Sequence, residues 1–260
     1  MQRLTLDPGQ IENDRICLTP SQVHYLRQVL RLRSGDPFLS LHPQGGVWLT
    51  LLGDRPSVAT LQEPWLDLPE LRIQATLLIA LPKTGFDEVV RQCVELGAKT
   101  IVPVISERTL LQPSESKQKR WQRIAQEAAE QCERNTVPIV SPVLPLIPAL
   151  AQVSPEDDRY ICVTRIAAVS FLTRILSPDP PVQNQPAQNR SIAIVTGPEG
   201  GWTSAEVTAA IDLGYEPVSL GNLILRAVTA PIAVMSLVMA ASSTTPTFPS
   251  CSERSELPSA

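Results

Sequence analysis

The spacing of apolar residues changes character near residue 70. Ahead of that point the apolar runs are short, and their alternation with polar positions predicts β-strands around one helix. Thr19-Pro20-Ser21 opens that helix, in which Val23, Leu26, Val29 and Leu30 recur at helical spacing, and Leu32 to Asp36 turn the chain. PFLSLH and VWLTLLG, separated by Pro43-Gln44-Gly45-Gly46, predict a hairpin. Residues 1–68 are therefore expected to form a small, mostly β domain, with Glu63 to Pro69 as its linker.

From residue 71 strands and helices alternate. RIQATLLIAL, IVPVI, YICVTR and SIAIVT are continuous apolar runs of the kind found in strands buried on both faces. Between them lie a helix from Phe86 to Leu96, closed by Gly97, and a long amphipathic helix, KQKRWQRIAQEAAEQCERN. Trp121, Ile124, Ala128 and Cys132 share one face of the second helix. This alternation predicts an α/β domain over residues 71–242 with a mostly parallel sheet. Residues 177–190 are rich in proline, glutamine and asparagine, and residues 243–260 in serine, threonine and proline; the latter are expected to form a disordered tail.

Composition narrows the class. Of the 260 residues 43% are apolar and 18% charged, which excludes wholesale disorder. The net charge of −4 argues against a general polyanion binder while allowing a local basic patch. Aromatic residues are only 4%, too few for a broad base-stacking surface. Cys17, Cys93, Cys132, Cys162 and Cys251 form no C-x-x-C pair and are accompanied only by His24 and His42, so no metal site is expected. The N-terminal residues lack the apolar core of a signal peptide, and the longest apolar stretch, Ala230 to Ala241, is too short to span a bilayer. A cytoplasmic protein with reduced thiols and no membrane partner is expected.

The chemistry concentrates between Ser191 and Ala241. A buried strand ends at Thr196 and is followed by Gly197-Pro198-Glu199-Gly200-Gly201. Thr203 and Glu206 form a capping box for a helix from Ser204 to Leu213, which Gly214 closes. A strand from Pro217 to Leu220 leads into a second glycine loop, and Thr229 is placed to cap the last helix. Glycine loops after parallel strands either bind ligands through backbone groups or simply turn the chain. Neither loop is a G-x-x-x-x-G-K-[ST] or a G-x-G-x-x-G motif, which disfavours nucleotide hydrolysis and dinucleotide chemistry.

GPEGG-W-T-S-x-E followed by SLG-N-L-ILR-x-x-TA closely resembles the C-terminal signature of the RsmE family, enzymes that methylate N3 of a uridine in 16S ribosomal RNA. LPKTGFDEVVRQCVELGAKTIVPVISERT, KRWQRIAQEAAEQCERNTVPIV and HYLRQVLRLRSGD resemble three further family segments in the family's order. The resemblance implies a SPOUT-type, trefoil-knotted α/β sheet, mostly parallel, with helices on both faces. It also implies a preceding PUA-like β-barrel domain that binds RNA. The implied cofactor is S-adenosylmethionine, and the implied state is a homodimer acting on 16S rRNA in an assembled small subunit.

Carried onto this chain, the cofactor would be held by Thr196, Gly197, Pro198, Glu199, Gly200 and Gly201 of the first loop. Leu220, Gly221, Ile224, Leu225, Arg226, Thr229 and Ala230 would hold it from the second. Arg226 is the catalytic candidate, stabilising charge on the uracil, against a plain salt bridge at the sheet end. Glu199 would orient ligand or cap a helix. Lys83 and Arg108 would touch phosphate or a second subunit, or be ordinary surface charges. Arg15, Arg27, Arg31 and Arg33, in a run with no acid between Ile16 and Gly35, and Lys117, Lys119, Arg120 and Arg123 are candidate RNA contacts.

Two positions depart from the family pattern: Val228 stands where an acid is usual, and Gln92 where a lysine is common. Rival readings are a knotted ribose 2′-O-methyltransferase of RNA and a noncatalytic RNA-binding or assembly factor. SLGNLILR fits the base-methylating branch better than the first, and Val228 supports the second.

Overall fold

A computed structural model describes residues 1–42, 45–65, 70–110, 112–176 and 190–242. Pro43 and Gln44, residues 66–69, Leu111, residues 177–189 and residues 243–260, where the sequence predicts a disordered tail, lie outside the described residues. The chain divides into two compact units: the described residues of 1–70 with 129–137, and those of 71–128 with 138–242.

The first unit contains β1 (Arg3–Thr5), β2 (Ile11–Glu12), β3 (Arg15–Cys17), α1 (Pro20–His24), β4 (Pro37–Leu41), β5 (Val47–Leu52) and β6 (Val58–Pro64). Its strands are ordered β1-β4-β5-β6-β3-β2, with β1 parallel to β4 and every other pairing antiparallel. The two halves of the expected hairpin pair from Pro37 with Leu51 to Leu41 with Val47. Inward positions of the strands build a core that includes Leu4, Leu6, Ile16, Phe38, Leu52 and Ala59. Residues 129–137 belong here as well: Glu130 accepts the Thr5 amide at 2.8 Å, and Arg3 donates to the Arg134 carbonyl at 2.9 Å.

The helix of this unit departs from its periodicity. Thr19 caps α1, but Tyr25–Val29 continue it as a π-helical turn, closed by the Leu30 amide on the Tyr25 carbonyl at 2.9 Å. The wider turn keeps Leu26 fully buried and rotates Val29 outward to 57% exposure, so Val29 is not on the buried face.

The second unit contains β7 (Ile73–Ala80), α2 (Phe86–Glu95), β8 (Thr100–Ile105), α3 (Glu115–Gln131), β9 (Ile139–Val140), β10 (Leu144–Pro145) and α4 (Leu146–Ala151). It continues with β11 (Asp158–Cys162), β12 (Val169–Ser170), α5 (Phe171–Leu176), β13 (Arg190–Thr196), α6 (Ser204–Asp212), β14 (Glu216–Ser219) and α7 (Thr229–Ser242). Residues 129–131 of α3 are counted with the first unit. The sheet is parallel throughout, ordered β10-β8-β7-β13-β11-β14-β12, with β9 on β8. Leu77 and Ile79 alternate with Leu78 and Ala80 along β7, and all four are fully buried, so both faces of the central strands are covered. One face packs on α4 and α6 through Leu146, Leu150 and Ala210, while α7 lies against α2, β7 and β13. Trp121 of α3 meets Phe86 edge-on at 4.6 Å and donates its indole N–H to Asp87 at 2.9 Å, which explains the buried stripe of that helix.

Candidate active site

The sheet order decides where the site lies. β13, β11 and β14 are neighbours, so the loops leaving their carboxyl ends converge on one crevice, where open α/β sheets bind ligands. A cleft of about 730 Å³ sits there, within the range of small-molecule sites. It is lined by Gly197 to Trp202, by Leu220, Gly221 and Leu223 to Val228, and by Cys162 to Ile166 after β11. Thr84, Arg108, Val207 and Ala230 complete the wall. Among the candidate cofactor residues, Thr196 and Thr229 are not part of the lining.

The first loop is held by side chains from three directions. Trp202 donates its indole N–H to the Cys162 carbonyl at 3.0 Å, tying the loop to the end of β11. A Cβ on Gly197 would come within 3.1 Å of that indole, so glycine lets Trp202 lie flat against the backbone. Arg108 donates to the carbonyls of Gly200 at 2.8 Å and Trp202 at 3.4 Å, so it serves the loop rather than standing as a loose surface charge. Glu199 accepts the Lys83 amide at 2.9 Å; it caps no helix, and the Lys83 ammonium has no partner among the described residues.

Thr203 and Glu206 form the expected capping box, and Glu206 does more than cap. One carboxylate oxygen accepts the Thr203 amide at 2.8 Å while the other accepts the Glu107 amide at 2.8 Å. Glu206, only 8% exposed, thus couples the start of α6 to the segment that carries Arg108. Trp202 and the second bond of Glu206 are outside the site residues proposed from the sequence, although both lie in the quoted motif.

The second loop turns at Gly221, whose φ of +118° is open to glycine and rare for other residues. Leu223 and Ile224 are 80% and 63% exposed at the cleft. Arg226 is exposed, its carbonyl accepts the amides of Thr229 at 2.9 Å and Ala230 at 3.0 Å, and its guanidinium has no ion pair among the described residues. The salt-bridge alternative for Arg226 therefore finds no carboxylate. Thr229 is the first residue of α7, bonded to Arg226 through its backbone, and not the residue that caps it. Val228 packs on the turn before α2: a Cβ on Gly85 would lie 3.3 Å from its Cγ1. Gln92 donates to Glu88 at 3.0 Å within α2.

The charge balance of the lining is basic, with Arg108, Arg165 and Arg226 against the single carboxylate of Glu199. Burial pushes the Cys162 thiol up to about 12, so this cleft-lining cysteine stays protonated and offers no thiolate nucleophile near neutrality. Among the described residues no group of three or more metal-ligating side chains occurs, and no helix is long and apolar enough to cross a membrane.

The remaining basic candidates are scattered over both units. Arg15, Arg31 and Arg33 are exposed, whereas Arg27 is half-buried and donates to the Gly53 carbonyl at 2.7 Å. On α3, Arg120 pairs with Asp87 at 2.8 Å and Arg123 with Glu127 at 3.5 Å, while Lys119 is exposed and Lys117 half-buried.

Residues 69–239 match the family model of an RNA methyltransferase domain. The ribosomal RNA small subunit methyltransferase E of Synechocystis sp. is 45% identical over 241 residues, covering 92% of this chain and 77% of that one. The protein of the same name from Bacillus subtilis is 31% identical, covering 92% of this chain and 96% of its own. Among solved structures, a ribosomal RNA small subunit methyltransferase E from Neisseria gonorrhoeae, bound to S-adenosyl methionine, superposes with a TM-score of 0.76 at 28% identity. That match covers 92% of this chain and 97% of the other. Four family segments in order, a parallel sheet with its crevice between two glycine loops, and these relatives lead to one conclusion: the chain belongs to the ribosomal RNA small subunit methyltransferase E family.

Proposed function

We propose that the protein transfers the methyl group of S-adenosylmethionine to N3 of a uridine in the 16S RNA of the small ribosomal subunit. The observation that carries this reading is the cleft at the ends of β13 and β14, where two glycine loops meet an unpaired arginine, Arg226. The cleft suits the cofactor. At Gly201 and Gly221 a Cβ would meet nothing within 4 Å, so backbone groups there stand beside open space. A ligand with an adenine edge and an amino-acid end can be held largely by backbone amides and carbonyls. When bound, the cofactor supplies an electrophilic sulfonium methyl group, so no metal and no covalent enzyme intermediate is required.

The chain's own residues then align and polarise. Trp202, Arg108 and Glu206 hold the first loop in one arrangement, which confers the orientation that a displacement needs. Uridine N3 carries a proton, and negative charge gathers on the uracil as that proton leaves. Arg226, whose guanidinium is exposed at the cleft, stabilises that charge. Val228 places no carboxylate beside it, so proton loss to solvent with electrostatic stabilisation is favoured over an enzymic base.

The same reading includes a trefoil knot at the C-terminal end of the sheet, supported by β13 lying between β7 and β11 and by α7 packing back on α2 and β7. The first unit, residues 1–68 together with 129–137, would be a PUA-like RNA-binding domain, and the second, within residues 71–242, the catalytic domain. Arg15, Arg31 and Arg33 in the former, and Lys83, Lys117 and Lys119 in the latter, would meet RNA phosphates. The enzyme would act in the cytoplasm as a homodimer on an assembled subunit. Nucleoside mass spectrometry of small-subunit RNA from cells with and without the gene tests the reading. One N3-methyluridine should vanish on deletion and return on complementation. A lost 2′-O-methyl nucleoside, or no change, would overturn it.

A further inference from the structure

We infer that Arg165 binds a phosphate of the substrate RNA at the mouth of the methylation cleft; this rests on the proposed function above. Of the three arginines that line the cleft, Arg108 is committed to the carbonyls of Gly200 and Trp202, and Arg226 is assigned to the uracil. Arg165 is exposed and has neither a hydrogen bond nor an ion pair from its guanidinium among the described residues. One oxygen of the Glu199 carboxylate in the same lining accepts the Lys83 amide, and Glu199 makes no ion pair with Arg165 among the described residues.

The backbone at Arg165 supplies the second observation. Its φ is +61°, in the left-handed region that few non-glycine residues enter. The Val163 amide bonds the Val218 carbonyl at 2.9 Å, and β12 pairs with β14 from Val169 onward, so the chain is anchored at both ends of a short crossing between β11 and β12, which both run parallel to β14. Glycine or asparagine would adopt the left-handed backbone at lower cost. An arginine held there against its preference presents a guanidinium to the cleft that the turn itself does not require. Strained residues of this kind gather at ligand sites. A planar guanidinium matches a phosphodiester, whose two unesterified oxygens accept a bidentate pair of N–H bonds. The cofactor's carboxylate has a similar acceptor geometry, and the experiment must separate the two.

Two variants of the full-length protein do so. Arg165→Asn removes the charge and tolerates the left-handed backbone; Arg165→Lys retains a charge without the fork. Binding of small-subunit RNA across a salt series, S-adenosylmethionine affinity by calorimetry, and thermal unfolding are measured for both. Arg165→Asn should weaken RNA binding about tenfold and lower the log–log salt slope by roughly 0.7–0.9, the contribution of one phosphate contact. Cofactor affinity should be unchanged and the unfolding temperature of Arg165→Asn should hold or rise slightly as the left-handed backbone is relieved, and Arg165→Lys should keep the salt slope while losing part of the affinity. An unaltered slope in Arg165→Asn would overturn the inference, and so would a loss of cofactor affinity, which would give the anion to the cofactor. RNA binding is read whether or not methyl transfer occurs, so a failure of the wild-type protein to methylate RNA counts against the proposed function alone.

Discussion

Glu206 accepts the backbone amide of Glu107 across 99 residues of sequence, at 2.8 Å, with the oxygen that its own capping box leaves free. The bond fixes the segment bearing Arg108 against the helix that follows the first glycine loop. Removing the carboxylate strips a cap and leaves amides without acceptors in a largely buried place, each loss worth about 1 kcal/mol or more. Glu206→Ala should therefore destabilise the protein by roughly 2–3 kcal/mol and weaken S-adenosylmethionine binding. Glu206→Gln keeps one accepting oxygen and should lie between. Denaturant unfolding and calorimetry check this; a Glu206→Ala protein as stable as wild type would refute the coupling.

The two loop glycines should fail for different reasons. At Gly197 a side chain collides with Trp202, so Gly197→Ala should displace the indole, break its bond to Cys162 and lower cofactor affinity. At Gly221 the space is open and the obstacle is the backbone, whose φ of +118° lies beyond the left-handed region open to other residues, so Gly221→Ala should already do most of the harm that Gly221→Val does. Trp202 fluorescence and cofactor titration follow both. Little damage from alanine beside a large loss from valine at Gly221 would contradict the backbone account.

The arginine run of the first unit should divide by role. Arg27 is tied to the Gly53 carbonyl, so Arg27→Ala should cost stability, about 1–2 kcal/mol for a charged hydrogen bond, and change the salt slope of RNA binding little. Arg31→Ala with Arg33→Ala should lower that slope by about 0.7–0.9 per lost phosphate contact without loss of stability. Salt titrations of RNA binding decide; a slope change confined to Arg27→Ala would reverse the assignment.

Alkaline stability follows from buried protonated groups. Burial pushes the thiols of Cys93 and Cys162 up to about 12, and raises the Tyr215 phenol, partly opposed by Arg159. In the unfolded chain such thiols ionise near 9, so above that pH the folded state holds more protons and stability falls as pH rises towards 12. Unfolding temperature should be level from about pH 6 to 8.5 and drop beyond. For Cys93, which is fully buried, the loss at pH 10.5 is about 2 kcal/mol, and Cys93→Val should escape that part. Parallel losses in variant and wild type would contradict the assignment.

Much of this architecture was legible in local pattern. The continuous apolar runs became the central strands because both faces of that sheet are covered, and Thr203 with Glu206 marked the start of α6 through an interaction three residues long. What escaped depends on neighbours that only the fold provides. The π-helical turn at Tyr25 rotates Val29 outward, and nothing in the spacing of VHYLRQVL signals it. Thr229 had the composition of a cap, yet the helix begins one residue earlier in role, with Thr229 already inside it. The cleft wall from Cys162 to Ile166 was missed because β11 lies beside β13 and β14 only through the sheet order. The rule that crevices open at strand carboxyl ends would have flagged the residues after YICV once that order was known.

The central claim is that Arg226 drives N3 methylation without an acidic partner. Single-turnover transfer of labelled methyl from S-adenosylmethionine to small-subunit RNA, with the product identified by mass spectrometry, tests it most directly. The wild-type protein should form N3-methyluridine. Arg226→Ala should slow the transfer by about 10²-fold or more while cofactor affinity persists, and Val228→Glu should change the rate by less than about tenfold. Unimpaired transfer by Arg226→Ala, or a hundredfold gain from Val228→Glu, would contradict the account.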